Sequence, residues 1–72
     1  MARSFYHYLL KFRDGKKEDP FVRFANGAYL DHGFPKTSTD YDEISRYLEL
    51  NGDYLDSMTI FDELWEQFLQ EA

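Results

Sequence analysis

The chain has 72 residues and no cysteine, so we expect a single domain whose core is held together without disulfides or thiolate metal sites. Its net charge is −6, and no apolar run approaches the roughly 20 residues that span a bilayer. The first residues also lack the apolar core of a signal peptide. We therefore expect a cytoplasmic protein with no membrane association.

The first predicted helix runs from about Ser4 to Arg13, with Ser4 as its N-cap. Its main apolar stripe has helical spacing and consists of Phe5, Tyr8, Leu9 and Phe12. A second apolar stripe, Tyr6 and Leu10, lies beside it. The helix is therefore either central in the fold or exposes an apolar strip, and the breadth of its apolar face favours the central position.

The second predicted helix begins with Asp19 as N-cap and Pro20 in the first turn, where the missing N–H costs nothing. Its apolar face continues to His32, and Gly33 is predicted to end it in the left-handed conformation, with Phe34 packing back on Tyr29.

Asn26-Gly27 is typical of a hairpin turn, but it lies within helical periodicity and without alternating flanks, so the hairpin is rejected. Gly27 should weaken the helix, and close approach of a neighbouring helix is the expected compensation.

The connection after Gly33 contains strong stop and start signals. Pro35 cannot continue a helix, and Asp40 with Glu43 predicts an N-cap and capping box for a third helix. We expect the Asp40 side chain to accept from the Glu43 backbone N–H, although Ser38 or Thr39 could be the cap instead. This helix should extend from about Tyr41 to Asn51 and end at Gly52.

The fourth predicted helix begins at Ser57 or Thr59, and Thr59 with Asp62 forms a weaker capping box. Its apolar stripe consists of Phe61, Leu64, Trp65, Phe68 and Leu69. No segment alternates cleanly between apolar and polar residues, so we predict an all-α compact bundle of four to five short helices. The predicted core is Phe5, Tyr8, Leu9, Phe12, Phe24, Ala28, Ile44, Leu48, Phe61, Leu64, Trp65 and Phe68.

Two blocks carry a family resemblance: Ser4-Phe5-Tyr6-His7-Tyr8-Leu9-Leu10-Lys11, and Phe34-Pro35-Lys36-Thr37-Ser38-Thr39-Asp40-Tyr41. Shorter blocks extend the resemblance at Glu43-Ile44, Tyr47–Asn51, Asp53–Leu55 and Phe61–Glu63. In these residues, and in the spacing between the blocks, the chain resembles the YozE family, small proteins of Gram-positive bacteria. The resemblance covers nearly all of residues 1–72 and implies a fold like the sterile alpha motif (SAM). It implies no activity.

Charge is divided unevenly along the chain. Residues 1–39 contain seven basic and four acidic side chains, whereas residues 40–72 contain one basic and ten acidic side chains. Such a division can steer association with a protein partner or with a second copy, although it also serves solubility. The candidate interaction surface comprises Tyr6, Leu10, Lys11, Arg13, Lys16, Lys17, Asp42, Glu49, Asp53, Asp56, Glu63 and Glu66.

The sequence contains no motif that predicts a catalytic or metal-binding site. The serines lie in cap or helix contexts without a nucleophile elbow, and His7 and His32 lie on different helices without metal-ligand spacing. We therefore expect no enzyme activity, no catalytic site, no metal and no cofactor. The predicted function is a protein-interaction module. Nucleic-acid binding through Lys11, Arg13, Lys16 and Lys17 is the alternative, and the acidic second half disfavours it.

Overall fold

The computed structural model describes residues 4–71, and over this range it contains helices and no strand. Helix α1 spans Phe5–Leu9 and continues as a 3₁₀ helix over Leu10–Phe12. Helices α2, α3 and α4 span Pro20–Leu30, Tyr41–Asn51 and Met58–Glu71. The predicted all-α fold of short helices is confirmed.

The first two helices begin as predicted. The Ser4 side chain accepts from the backbone N–H of His7 at 3.2 Å. The Asp19 side chain accepts from the Phe21 N–H at 2.9 Å, with Pro20 in the first turn. Each cap satisfies a backbone donor that has no partner inside its own helix.

Helix α3 is capped by Asp40, but the predicted hydrogen bond to Glu43 is wrong. The Asp40 carboxylate accepts from the N–H of Asp42 at 3.0 Å, one residue earlier. An N-cap side chain can reach either position, and here it takes the nearer donor. Ser38 is not the cap, because its hydroxyl accepts from the Asp40 N–H at 3.1 Å instead.

Helix α2 ends at Leu30, earlier than predicted, and Gly33 does not end it in a left-handed conformation. No glycine in the described range has positive φ. Asp31 leaves the helix with extended φ and ψ of −88° and 104°, and its carboxylate accepts from the Gly33 N–H at 3.0 Å. A local side-chain hydrogen bond therefore replaces the expected glycine motif.

Phe34 is buried, as a residue after a helix end often is, but its ring partners differ from the prediction. Its ring centroid lies 5.6 Å from that of Tyr6 and 5.9 Å from that of Tyr47. These contacts fix the connection against α1 and α3, in place of the expected packing on Tyr29. Because Tyr6 is covered in this way, it is half-buried.

Helix α4 starts after Ser57, the first of the two predicted starts. The Ser57 carbonyl accepts from the Ile60 N–H at 3.2 Å, so Thr59 already lies inside the helix. The predicted Thr59–Asp62 capping box is therefore wrong. None of the helices within residues 4–71 is long and apolar enough to cross a membrane.

The core is an aromatic cluster around Phe5. The Phe5 ring centroid lies 5.3 Å from those of Phe61 and Trp65 and 5.7 Å from that of Phe68. Eleven of the twelve predicted core residues are buried, and Val22, Ala25 and Phe34 join them. Phe12 is only partly buried, because the tighter 3₁₀ turn displaces it from the stripe of α1.

Candidate functional site

The basic residues after α1 do not form one uniform patch. Lys11 pairs with Glu71 at 3.2 Å and lies 5.0 Å from the centroid of the Tyr8 ring. Arg13 is directed towards α2, whereas Lys16 and Lys17 are exposed in the following loop. The contiguous sequence cluster is thus divided among different neighbours.

A surface groove of about 670 Å³ lies between this loop, α2 and the connection to α4. We call it the basic groove because three cations line it. Its lining includes Arg13, Lys17, Arg23, Asn26, Leu30 and Tyr54. Of the four predicted basic surface residues, Arg13 and Lys17 line this groove.

Arg13 is held in place by two contacts with α2. Its Nε donates to the Asn26 side-chain oxygen at 3.0 Å, and its guanidinium carbon lies 3.6 Å from the centroid of the Tyr29 ring. Stacking of this kind suits the planar guanidinium. The side chain is therefore oriented before any ligand arrives.

A second groove, of about 500 Å³, lies between the ends of α2 and α3. We call it the Asp31 groove. Its lining includes Leu30, Asp31, Tyr47, Leu50, Asp53 and Tyr54. Leu30 and Tyr54 border both grooves, so the two form one continuous surface.

Asp31 connects three parts of the fold. Its Oδ2 accepts from the hydroxyls of Tyr47 at 2.6 Å and Tyr54 at 2.8 Å, while its Oδ1 accepts from the Gly33 N–H. The Tyr47 hydrogen bond, with smaller contributions from Tyr54 and Gly33, holds the pKa of the Asp31 carboxyl below its ordinary value.

The two tyrosines respond in the opposite direction. The hydrogen bond to Asp31, followed by burial, raises the pKa of Tyr47 to about 12. Burial and the same carboxylate raise the pKa of Tyr54. Both phenols therefore remain protonated donors at neutral pH, which suits a structural role for this cluster.

Tyr54 also explains the glycine within α2. A Cβ atom added at Gly27 would overlap the Tyr54 side chain. The expected close approach at Gly27 is real, although the neighbour belongs to the loop between α3 and α4 rather than to a helix.

Two leucines at the grooves are unusually exposed, Leu30 at 73% and Leu50 at 82%. We call them the leucine pair. Leu30 is the last residue of α2 and Leu50 lies in the last turn of α3, and both border the Asp31 groove. Sequence reasoning missed them, although a signal exists: each is a large apolar residue outside the apolar face of its own helix.

The predicted acidic residues are dispersed. Asp53 borders the Asp31 groove, and Asp56 pairs with Arg23 at 3.1 Å. The other four are exposed on α3 and α4 and border neither groove: Asp42, Glu49, Glu63 and Glu66. Among the predicted apolar members, Tyr6 and Leu10 are partly buried, so they do not form an exposed strip.

The described residues contain no group of three or more His, Cys, Asp or Glu side chains that could hold a metal ion. They also contain no buried side-chain nitrogen or oxygen without a hydrogen-bond partner. His32 is exposed beside Asp31.

Comparison with known proteins gives a consistent result. The model of the YozE SAM-like fold family matches residues 4–70. The chain is 76% identical over 72 residues to a UPF0346 protein of Geobacillus kaustophilus, with both chains covered completely. It is 64% identical over 70 residues to the UPF0346 protein YozE of Bacillus subtilis, covering 97% of this chain and 95% of that protein.

The solution NMR structure of the Bacillus subtilis YozE protein is also similar to this fold. It superposes with a TM-score of 0.78 at 64% sequence identity, covering 93% of this chain and 82% of that one. The similarity supports the SAM-like arrangement that the sequence resemblance implied.

Proposed function

Because the chain belongs to the YozE SAM-like family, and a fold does not by itself specify an activity, we propose a function from its surface. The protein is a non-catalytic protein-interaction module of the cytoplasm. It binds its partner through the leucine pair and the two grooves beside it. The absence of cysteine from the sequence fits a reducing compartment.

The observation that carries this proposal is the exposure of Leu30 and Leu50 beside the same groove. Single exposed leucines are common on protein surfaces, whereas two exposed leucines that border the same groove bring apolar surface together, and contiguous exposed apolar surface marks interaction sites. Burying both side chains against a partner would remove apolar surface from water. The charged linings then supply orientation and selectivity.

The non-catalytic part of the proposal is supported by the chemistry of the grooves. Asp31 is engaged by two tyrosines and a backbone N–H, so its hydrogen-bonding capacity serves the fold. Its pKa is lowered, whereas a general base working near neutral pH needs a raised one. Neither groove is lined by a serine, threonine, cysteine or histidine, and the two phenols beside Asp31 have raised pKa values, which disfavours a phenolate nucleophile.

Nucleic-acid binding is the alternative, and the cations of the basic groove are the observation in its favour. Several features weigh against it. Arg23 is already paired with Asp56, Asp53 and Asp31 border the adjoining groove, and residues 40–72 carry ten acidic side chains. A phosphate backbone crossing this surface would meet carboxylates on leaving the basic groove.

Site-specific photocrosslinking in living cells tests the proposal. A photoreactive amino acid replaces Leu30 or Leu50 in the full chain, which is produced in a Bacillus host. Position 69 is the matched control, because Leu69 is also an exposed leucine, at 54%, and borders neither groove. We expect discrete protein adducts from positions 30 and 50 that are absent from position 69.

Each outcome has a defined meaning. An adduct between two copies of the chain would identify the partner as a second copy and would still support the proposed function. Adducts that are sensitive to nuclease would favour nucleic-acid binding and contradict it. The same adducts from all three positions, or none from positions 30 and 50, would also contradict it.

A further inference from the structure

We infer that the partner presents an acidic, amphipathic protein segment. Its Asp or Glu side chains bind in the basic groove, and one of its apolar side chains packs against the leucine pair. This inference rests on the proposed function and adds the chemical class of the partner segment, which follows from how Arg13, Lys17 and Leu30 are arranged.

Arg13 is the primary carboxylate contact. Its Nε–H is used by Asn26 and one face of its guanidinium by Tyr29. The Nη N–H groups have no hydrogen-bond partner among the described residues. A guanidinium presents these donors in a geometry that matches both oxygens of a carboxylate. Because the side chain is already oriented, little conformational entropy is lost when a carboxylate binds.

Lys17 and Arg23 add positive charge to the same groove. Lys17 is exposed and forms no ion pair within residues 4–71. Arg23 pairs with Asp56 at 3.1 Å, but both side chains are substantially exposed, at 54% and 41%. Such surface pairs are weak, so a partner carboxylate can compete for Arg23.

The apolar component distinguishes an acidic protein segment from other anions. Leu30 borders the basic groove directly and Leu50 lies beyond it on the Asp31 groove. A nucleic-acid backbone or free phosphate has no group that gains from contacting two exposed leucines. A peptide with acidic residues around one large apolar residue matches both features of the surface.

The carboxylates of the Asp31 groove limit where the acidic residues of the bound segment can lie. Asp31 and Asp53 border that groove and would repel further carboxylates. The acidic side chains of the segment must therefore lie on the side of Leu30 that faces Arg13, with its apolar residue on the side that faces Leu50. The surface thus sets a direction for the bound segment.

A peptide array measures this preference. It consists of 12-residue peptides with one central leucine and four glutamates in permuted positions, each paired with a peptide in which every glutamate is glutamine. We expect the folded 72-residue chain to bind members of the glutamate set and not their glutamine partners. The strongest peptide is then titrated by fluorescence anisotropy, together with a version that has serine in place of the leucine.

Two adjacent lysines supply a matched control for charge. Lys17 borders the basic groove and Lys16 does not. Lys17→Gln and Lys16→Gln therefore change the net charge of the protein by the same amount, but only Lys17→Gln removes a positive charge from the basic groove. We expect Arg13→Gln and Lys17→Gln each to weaken peptide binding about tenfold, and Lys16→Gln to change it less than about twofold. Circular dichroism melting verifies that each variant is folded.

Several results would overturn the inference: no array peptide binds, the glutamine peptides bind equally well, or Lys16→Gln and Lys17→Gln cause equal losses. A single-stranded DNA 12-mer that binds more tightly than every peptide and loses affinity in Lys17→Gln would also overturn it. The crosslinks at positions 30 and 50 separate the two proposals. If these crosslinks form but the peptides show no preference for glutamate, the proposed interaction module is supported and the acidic partner segment is contradicted.

Discussion

At the residue scale, Asp31 has the greatest influence on the site. Its carboxylate joins the end of α2 to Tyr47 on α3 and to Tyr54 in the following loop. Folding therefore favours the ionised carboxylate, and the pKa of Asp31 lies below its ordinary value of 3.8. Three lining residues of the Asp31 groove, Asp31, Tyr47 and Tyr54, are therefore held together by that charge.

The difference in stability between the wild type and Asp31→Asn should depend on pH. Because the folded pKa is lowered, the stabilisation by the carboxylate is complete above the unfolded value and is lost as pH falls through the folded value. We expect Asp31→Asn to reduce the free energy of unfolding by about 1–3 kcal/mol at pH 7, and by clearly less at about pH 3. Urea titrations at both pH values measure this.

Asp14→Asn is the control for Asp31→Asn. Asp14 is exposed and no described residue forms a hydrogen bond or ion pair with its side chain, so its replacement should have a small effect at both pH values. An equal loss of stability for Asp31→Asn at pH 7 and pH 3 would show that the charge of Asp31 is unimportant.

Gly27 gives a second prediction at the residue scale. Alanine normally stabilises a helix interior relative to glycine by about 1 kcal/mol, but here its methyl group would overlap Tyr54. We expect Gly27→Ala to destabilise the protein by about 1–3 kcal/mol. In a Tyr54→Ala background the same change should become neutral or stabilising. Thermal melts of the four proteins measure the coupling, and additive effects would contradict it.

At the element scale, the helix starts rely on short polar side chains that bond within three residues of themselves. Ser4, Asp19 and Asp40 each accept from a backbone N–H of the first turn. Such bonds involve only neighbours in sequence, which is why these three starts were predictable. The end of α2 was not, because Asp31 is held there by tyrosines 16 and 23 residues away.

The Asp40 cap can be separated from the charge of Asp40. Asp40→Ala should cost about 1 kcal/mol because the Asp42 N–H loses its acceptor. Asp40→Asn keeps an acceptor oxygen and should cost less than about 0.5 kcal/mol. Denaturant midpoints of the two variants measure the difference. If both variants lose the same stability, the contribution comes from charge at the helix N-terminus and not from the cap.

The same reasoning explains what the sequence could reveal about the candidate site. It identified Arg13 and Lys17 as part of a basic cluster, and both line the basic groove. It could not identify the partners of Lys11 and Arg23, because Glu71 and Asp56 lie far away in sequence. The grooves arise from where α2, α3 and their connections meet, and no periodicity within one helix contains that information.

At the scale of the whole molecule, the two oppositely charged halves are joined by contacts. Glu71 near the end of α4 accepts from the Tyr8 hydroxyl at 2.9 Å and pairs with Lys11, while Asp56 pairs with Arg23. The ion pairs are exposed and contribute little stability. Cohesion must therefore come chiefly from the aromatic core that lies beneath them.

Trp65 tests how far that core supports the whole chain. Its ring lies 5.3 Å from Phe5 and 5.1 Å from Phe68, measured between centroids, and the residue is only 9% exposed. Trp65→Ala should cost about 3–5 kcal/mol. A domain of this size is typically stable by only about 4–11 kcal/mol, so we expect a melting temperature lowered by more than about 12 °C or no cooperative melt.

Leu69→Ala is the control for Trp65→Ala, because Leu69 lies on the same helix and is 54% exposed. Its replacement should change stability by less than about 0.5 kcal/mol, and calorimetry of both variants makes the comparison. Loss of Trp65 removes one side of the cluster around Phe5, which connects α1 to α4, so the effect should be global. A Trp65→Ala protein that melts cooperatively within a few degrees of wild type would show that the remaining rings suffice to hold the helices together.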